Sequence, residues 1–162
     1  PLDEFMAIID NSLENGYTVD WAADVSEPGF QYSKGFAVIP AGVGEDAQNT
    51  EWSKWETMSA NSRRNMIANA TEPIKEMEIT QELRQQGYDN YETTDDHGML
   101  ITGLYKDQNG NTFYKVKNSW NTDNIYDGYF FASAPFVAYK TLNIVVHKDA
   151  VPKDIRKKLG IK

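Results

Sequence analysis

The hydrophobic and polar positions in the first quarter of the chain predict one helix and two short strands. Residues 2–16 place apolar side chains at intervals of three and four positions, which is the spacing of an amphipathic helix, and Asn15-Gly16 is a typical helix end. Residues 17–25 alternate between apolar and polar side chains, which indicates a strand. The stretch KGFAVIP, residues 34–40, predicts a second strand that ends at its final proline.

Residues 41–92 differ in character and predict a helical insertion between strands. The insertion opens with AGVGEDAQN, which indicates a loop, and continues with a stretch of helical content in which Trp52 and Trp55 lie near one face. Packing inside this segment is favoured over stacking of the two indoles on a ligand. A further helix is predicted to begin after Thr80, whose hydroxyl suits an N-cap, and to end at Gly87.

The second half of the chain returns to strand patterns arranged around one hairpin. The segments HGMLITGLYKD and TFYKVKNSW flank Asn109-Gly110, which is a strong signal for a tight turn between antiparallel strands. Residues 128–136 and 141–148 predict two more strands, and residues 150–162 predict a tail with a loop and one helical turn. Together these elements indicate a single α+β domain.

Composition and charge narrow the classes of function. The chain has 162 residues, of which 40% are hydrophobic and 25% are charged, as in folded globular domains. The net charge of −8 and the lack of a basic patch argue against nucleic acid and anionic membranes as partners, and the apolar runs are too short to span a bilayer. The chain contains no cysteine, which excludes disulfides, thiolate metal sites and a cysteine nucleophile within these 162 residues.

One polar pair is expected to meet at the open end of the predicted hairpin. His97 begins the outgoing strand and Asn118 ends the returning one, so a loop or bulge on the longer arm would bring both to the same end. Alternation along the returning strand turns Asn118 towards the apolar face, where a carboxamide needs a hydrogen-bond partner. The imidazole of His97 can be that partner, and Trp120 can cover the bond. Thiol-dependent acyl transfer requires such an oriented imidazole.

Simpler interpretations of the same residues stay open at this point. A histidine beside aspartates, taken alone, is more often a surface or capping residue than a catalytic one. A metal site formed by Asp95, Asp96 and His97 is disfavoured, because consecutive strand residues point to opposite faces. His147 lies late in a strand without a companion motif, so a structural role is favoured for it.

Several of these stretches together resemble a known family. The motifs DDHGM, YKVKNSWN and DGYF resemble the second half of the papain-like cysteine peptidases, and more closely the branch of bleomycin hydrolase and aminopeptidase C. The segments YTVDWAADVSEPGF and TQELRQQGYDNYETT and the run from VVHKDAVP onwards extend the resemblance over nearly the whole chain. Asn121 follows NSW where ordinary papain-like enzymes usually have glycine, which fits the aminopeptidase branch better.

The resemblance implies a fold and roles for individual residues. The fold would be the β-rich half of the papain-like fold, a barrel-like antiparallel sheet with a helical insertion at residues 41–92. His97 and Asn118 would be the catalytic histidine and asparagine, and Trp120 would shield them. We expect residues 1–162 to be one domain, the C-terminal half of the enzyme. The helical half, with the nucleophilic cysteine and the oxyanion-hole glutamine, would lie upstream.

The resemblance also implies an activity and partners. The complete enzyme would be a cysteine aminopeptidase that needs no cofactor or metal, and the present chain alone should be inactive. Its partners would be peptide substrates, the N-terminal half of the same protein and further copies, because this branch forms hexameric rings. The tail at residues 150–162 matches a segment that lies in the active-site cleft of the branch. A cytoplasmic location is favoured and export is left open. The alternative is a non-catalytic module that binds peptides or a partner protein.

Overall fold

The computed structural model of the chain describes residues 1–41 and 51–161, except for the side chains of residues 51–53. Most of the predicted loop that opens the insertion, the Trp52 side chain and Lys162 therefore lie outside the described part. Trp55, in contrast, packs under the guanidinium of Arg63, whose carbon lies 5.2 Å from the ring centroid.

Seven strands in the described part of the chain form one sheet, in the order β2-β3-β6-β5-β4-β1-β7. The strands are β1 (Val19–Ala23), β2 (Phe30–Gln31), β3 (Phe36–Ala37), β4 (His97–Lys106), β5 (Thr112–Lys117), β6 (Tyr129–Ser133) and β7 (Thr141–Val145). Neighbours are antiparallel except for β3 and β6, which are parallel. The sheet curls into a half-barrel, so the predicted α+β class with a barrel-like antiparallel sheet is confirmed.

Five α-helices accompany the sheet within the described residues. They are α1 (Leu2–Glu14), α2 (Ala60–Ala68), α3 (Gln81–Asp89), α4 (Ala134–Lys140) and α5 (Lys153–Leu159). The helix α1 confirms the periodic pattern of the first residues. The predicted N-cap of α3 is also present, because the Leu83 N–H donates to Thr80 Oγ1 at 3.1 Å. The predicted stop at Gly87 was two residues early, since α3 runs to Asp89.

The apolar region after the hairpin differs from the prediction. The single strand predicted at residues 128–136 divides into β6 and the beginning of α4. Ser133 caps this helix by accepting the Phe136 N–H at 3.2 Å, and a proline occupies the first turn, where it disturbs no helical hydrogen bond. Every residue from Phe136 to Lys140 is buried, so the helix has no polar face that could reveal a helical period.

The tail also forms more helix than predicted. In place of one turn, α5 follows Pro152 and ends at Gly160, whose φ of 67° is the left-handed conformation that favours glycine at a helix end. Ile155 is buried beneath the helix, and the Asn11 Nδ2 of α1 donates to the Ala150 carbonyl at 2.5 Å. Lys158 forms an ion pair with Glu4. These contacts attach the described part of the tail to α1.

The hydrophobic core lies on one face of the sheet. Its centre is built from side chains that are fully buried or nearly so: Val19, Trp21, Met99, Ile101, Tyr114, Val116, Phe130 and Phe136. The helix α1 is tied to this face by Tyr114, whose hydroxyl donates to Asp10 Oδ1 at 2.6 Å. Burial, this hydrogen bond and the charge of Asp10 all raise the pKa of Tyr114. The same face continues along β4 and β5 to the candidate site.

Candidate active site

The structure places His97 and Asn118 at adjoining strand ends. His97 is the first residue of β4 and pairs with Ala23, the last residue of β1. Asn118 follows the last residue of β5, and its N–H donates to the Gly128 carbonyl at 3.1 Å, just before β6 begins. The neighbouring strands β1, β4 and β5 therefore fix the backbone positions of both residues.

A β-bulge at Thr102 decides which face of the sheet His97 joins. Gly103 pairs with Lys115, but Ile101 pairs with Val116, so Thr102 is an extra residue in β4. Its hydroxyl donates to the Lys115 carbonyl at 3.1 Å. Cross-strand partners share a face, so the register beyond the bulge puts His97 on the buried face with Val116 and Asn118. If Thr102 paired with Val116 in a regular ladder instead of forming a bulge, His97 would turn to the opposite face.

The two side chains form a short hydrogen bond. His97 Nε2 lies 2.7 Å from Asn118 Oδ1, and the same oxygen accepts the Ser119 backbone N–H at 2.8 Å. Because the backbone donor identifies this atom as the carbonyl oxygen, the ring nitrogen facing it must carry a proton. The neutral imidazole therefore has its hydrogen on Nε2 and its lone pair on Nδ1, which makes Nδ1 the basic nitrogen.

Burial of the Asn118 carboxamide lowers the stability of the fold. Only 2% of the residue is exposed, and its Nδ2 has no hydrogen-bond partner among the described residues. A buried donor without a partner destabilises a fold by about 1–3 kcal/mol. An apolar side chain would avoid that cost at this position, so the carboxamide is better explained by the contact of its oxygen with His97 than by stability.

Trp120 lies across the pair and is itself held by two aromatic rings. Its indole centroid is 4.9 Å from the imidazole centroid of His97, with the planes tilted by 35°. The rings of Phe30 and Tyr32 meet it in T-shaped contacts, with centroid distances of 5.8 and 5.1 Å and interplanar angles of 84° and 81°. The indole is 45% exposed, so one side contacts the imidazole while the remainder faces outwards.

The other predicted candidates lie apart from this pair. His147 stacks on Tyr17 at 4.9 Å and accepts the Asp149 N–H at 3.3 Å, as a helix-capping residue does. Within residues 1–41 and 51–161, no cluster of three or more His, Cys, Asp or Glu side chains is arranged to hold a metal ion. In the same ranges, no helix has the length and apolar character needed to cross a bilayer.

Sequence reasoning missed several residues around the site. Phe30 and Tyr32 support the indole, and the Asn124 side chain ties the loop after Trp120 to the Tyr129 carbonyl at 2.6 Å. Lys140, which is 1% exposed, is the other omission. Its position at the end of the apolar run GYFFASAPFVAYK could have predicted its burial, since a lysine next to so many apolar residues is more easily enclosed by the core.

Comparisons with known proteins identify the family of the chain. The sequence profile of the Peptidase C1-like family matches residues 52–161, and the chain belongs to that family, which comprises papain-like thiol proteases. Aminopeptidase C of Lactococcus lactis subsp. cremoris is 41% identical over 59 residues, covering 36% of this chain and 14% of the relative. Aminopeptidase C of Lactobacillus helveticus is 33% identical over 69 residues, or 43% of this chain and 15% of the relative.

A solved structure extends the comparison to the fold of nearly the whole chain. The crystal structure of PepW from Lactobacillus rhamnosis HN001 matches with a TM-score of 0.59 at 20% identity, covering 99% of this chain and 30% of PepW. The family profile and the aminopeptidase C relatives confirm the resemblance to the aminopeptidase C branch. The chain spans less than a third of PepW, and the matched segments span 14% to 15% of the curated relatives.

Proposed function

We propose that this chain supplies the catalytic histidine and its orienting asparagine to a cysteine aminopeptidase. His97 would be the general base and acid, and Asn118 would hold its ring. The hydrogen bond of 2.7 Å between His97 Nε2 and Asn118 Oδ1 carries the proposal, because it leaves Nδ1 as the nitrogen that can accept a proton. Membership of the Peptidase C1-like family supports a thiol as the group that gives up that proton.

The thiol would come from polypeptide outside these 162 residues, which contain no cysteine. His97 Nδ1 takes the thiol proton, and the thiolate attacks the carbonyl carbon of the peptide bond. The imidazolium then gives its proton to the leaving amine as the C–N bond breaks, and an acyl thioester remains. Water releases the acid after His97 takes one of its protons, and the thiol is restored when that proton returns to sulfur.

The neighbours of His97 have defined tasks in this scheme. Asn118 Oδ1 keeps the Nε2–H bound through both proton transfers, so the ring stays aligned when it is neutral and when it is charged. Trp120 keeps water away from that hydrogen bond, which strengthens it in a medium of low dielectric. No step requires a metal or an organic cofactor.

The domain organisation and partners belong to the same proposal. Residues 1–162 would act as one domain, with residues 41–92 as a helical insertion and residues 150–162 as a tail. A helical half bearing the cysteine would pack against the face that carries His97 and Trp120. Peptides with free N-termini would be the substrates, and further copies of the chain would be additional partners.

The test compares the 162-residue chain with the product of the complete reading frame on aminoacyl fluorogenic substrates. We expect no turnover by the chain alone and alkylation-sensitive turnover by the complete product, with a loss of about 10²–10⁴-fold on His97→Ala. His147→Ala is the matched control and should retain full activity. Turnover by the chain alone that resists alkylation, or a His97→Ala enzyme of near-normal rate, would refute the proposal. Peptide binding without thiol-dependent turnover would support the non-catalytic alternative.

A further inference from the structure

We propose that Lys140 and Asp24 are positioning residues for His97. Their side chains form a buried ion pair that holds residues 92–94, the backbone leading into β4, and so determine where the imidazole lies against Asn118. The proposal rests on the function proposed above for His97, and it adds two residues that touch neither the imidazole hydrogen bond nor its aromatic cover.

Lys140 is the more unusual member of the pair. Its Nζ donates to the Glu92 carbonyl at 2.7 Å and to Thr93 Oγ1 at 3.4 Å. It also lies 3.9 Å from Asp24 Oδ2 and forms an ion pair with Glu27. An ammonium group that is removed from water in this way must be paired and hydrogen bonded, and here two of its donors are directed at the segment before His97.

Asp24 holds the next residue of the same segment. Its Oδ2 accepts the Thr94 N–H at 3.1 Å, and its Oδ1 accepts the backbone N–H and hydroxyl of Ser26 at 2.9 and 2.7 Å. Burial acts to raise the pKa of Asp24, but the hydrogen bonds from Ser26 and Thr94 outweigh it, so the pKa is lowered. The Asp24 N–H donates in turn to the Lys140 carbonyl at 3.0 Å, which joins the two residues through their backbones as well.

The position of this pair in the sheet connects it to the site. Asp24 directly follows Ala23, and Ala23 is the residue of β1 that pairs with His97. Three consecutive residues, Glu92, Thr93 and Thr94, are therefore held by two side chains at the point where the pairing of β4 with β1 begins. Since catalysis is sensitive to displacements of about 1 Å, a directional restraint here bears on the proton transfers of His97.

An apolar cluster could join these segments without positioning them as closely. Breaking one member of a buried pair is costly, whereas replacing the whole pair by apolar groups is often neutral for stability. The presence of a charged pair here is explained if the direction of its hydrogen bonds is needed to fix the position of residues 92–94. Glu27 provides a contrast, because its side chain contacts the same ammonium but makes no hydrogen bond to residues 92–96 within the part of the chain that the structure describes.

The first experiment observes His97 directly in the 162-residue chain. With ¹⁵N labelling and His147→Gln to remove the second imidazole, NMR reports the Nε2–H tautomer and the exchange rate of that proton. We expect Lys140→Met to speed exchange by at least about tenfold and to mix the tautomers. Glu27→Gln, which keeps an oxygen acceptor for the ammonium, should change both quantities less than Lys140→Met does. Ile155→Ala, a core truncation in α5, controls for general destabilisation and should leave the tautomer unchanged.

The second experiment measures kinetics in the product of the complete reading frame. Lys140→Met should lower kcat by about 10- to 100-fold with KM changed less than about twofold, and Lys140→Arg should recover part of the loss. Asp24→Asn keeps the shape of the side chain and should lower kcat in the same direction. It serves as the test variant if Lys140→Met fails to fold.

The outcomes separate the two proposals. If His97→Ala leaves the complete enzyme active, the proposed function fails, while the NMR result still decides whether Lys140 and Asp24 position the imidazole. If the Lys140→Met and Asp24→Asn chains keep the wild-type tautomer and exchange rate, the positioning role is overturned. It is overturned equally if Ile155→Ala reproduces the effects of Lys140→Met on the imidazole.

Discussion

The indole of Trp120 lies over the imidazole of His97, with ring centroids 4.9 Å apart, and T-shaped contacts with Phe30 and Tyr32 hold the indole there. The indole is 45% exposed, so it contacts the imidazole on one side and faces outwards on the other. We expect it to act as a barrier between the His97–Asn118 hydrogen bond and water.

Replacement of Trp120 by alanine should therefore expose the hydrogen bond. We expect exchange of the His97 Nε2–H to become at least about tenfold faster, and kcat of the complete enzyme to fall by about tenfold. NMR exchange and steady-state kinetics measure the two effects. Trp120→Phe keeps an aromatic cover and should lie between wild type and Trp120→Ala. Equal exchange in all three proteins would show that the indole does not shield the bond.

Asn118 should matter more for activity than for stability. Asn118→Ala removes the acceptor that orients His97, and kcat should fall by about 100-fold. The free energy of unfolding should change by less than about 1 kcal/mol, because the substitution also removes the unpaired Nδ2. Steady-state kinetics measures kcat, and urea denaturation of the 162-residue chain measures the free energy of unfolding. A loss of several kcal/mol would mean that the carboxamide is retained for stability instead.

The number of residues between the Thr102 bulge and His97 should be essential for the geometry of the site. Deletion of Leu100 removes one of these residues, so His97 and Met99 turn to the opposite face while Ile101 keeps its pairing with Val116. We expect the His97 Nε2–H resonance to be lost and the chain to be strongly destabilised. Insertion of one glycine after Gly110, in the exposed hairpin turn, is the control and should preserve the resonance. Survival of the resonance in the deletion variant would contradict this account of the register.

Glu76 should give the fold a measurable pH dependence. Burial raises the pKa of this carboxyl to about 7, against the opposing effect of hydrogen bonds from Ser133 and Ile39, and the charge of Asp107 raises it further. The folded state thus binds the proton more tightly than the unfolded state, whose pKa is 4.5. Glu76 therefore contributes to the free energy of unfolding below about pH 4.5, and this contribution is lost as the pH rises through about 7.

The substitution Glu76→Gln isolates this contribution. The free energy of unfolding of the variant, relative to that of wild type, should be higher at pH 8 than at pH 5 by about 2 kcal/mol, after allowance for solvent screening. Urea denaturation at the two pH values measures the difference. Glu78, two residues away and exposed, offers the control, since Glu78→Gln should show no such change. An identical pH dependence for Glu76→Gln and wild type would exclude Glu76 as its source.

Local patterns were sufficient for the elements that have one buried face. The spacing of apolar residues predicted α1, and Asn109-Gly110 predicted the hairpin, whose turn is completed by Asp107 through hydrogen bonds from the Asn109 and Asn111 N–H groups, both at 2.8 Å. The helix α4 escaped prediction because it is buried on every side. A helix without a polar face has no hydrophobic period for the sequence to display.

The sequence by itself determined that Asn118 points inwards, because strand alternation with Tyr114 and Val116 leaves no other choice. It also determined the family, through DDHGM and KNSW. The sequence also predicted that His97 meets Asn118, but only the tertiary structure placed the required bulge at Thr102, since nothing in the stretch LITG of β4 marks one. The tertiary structure likewise decided that Lys140 is buried. Both features depend on partners distant in the chain, which a local pattern of hydrophobic and polar residues does not encode.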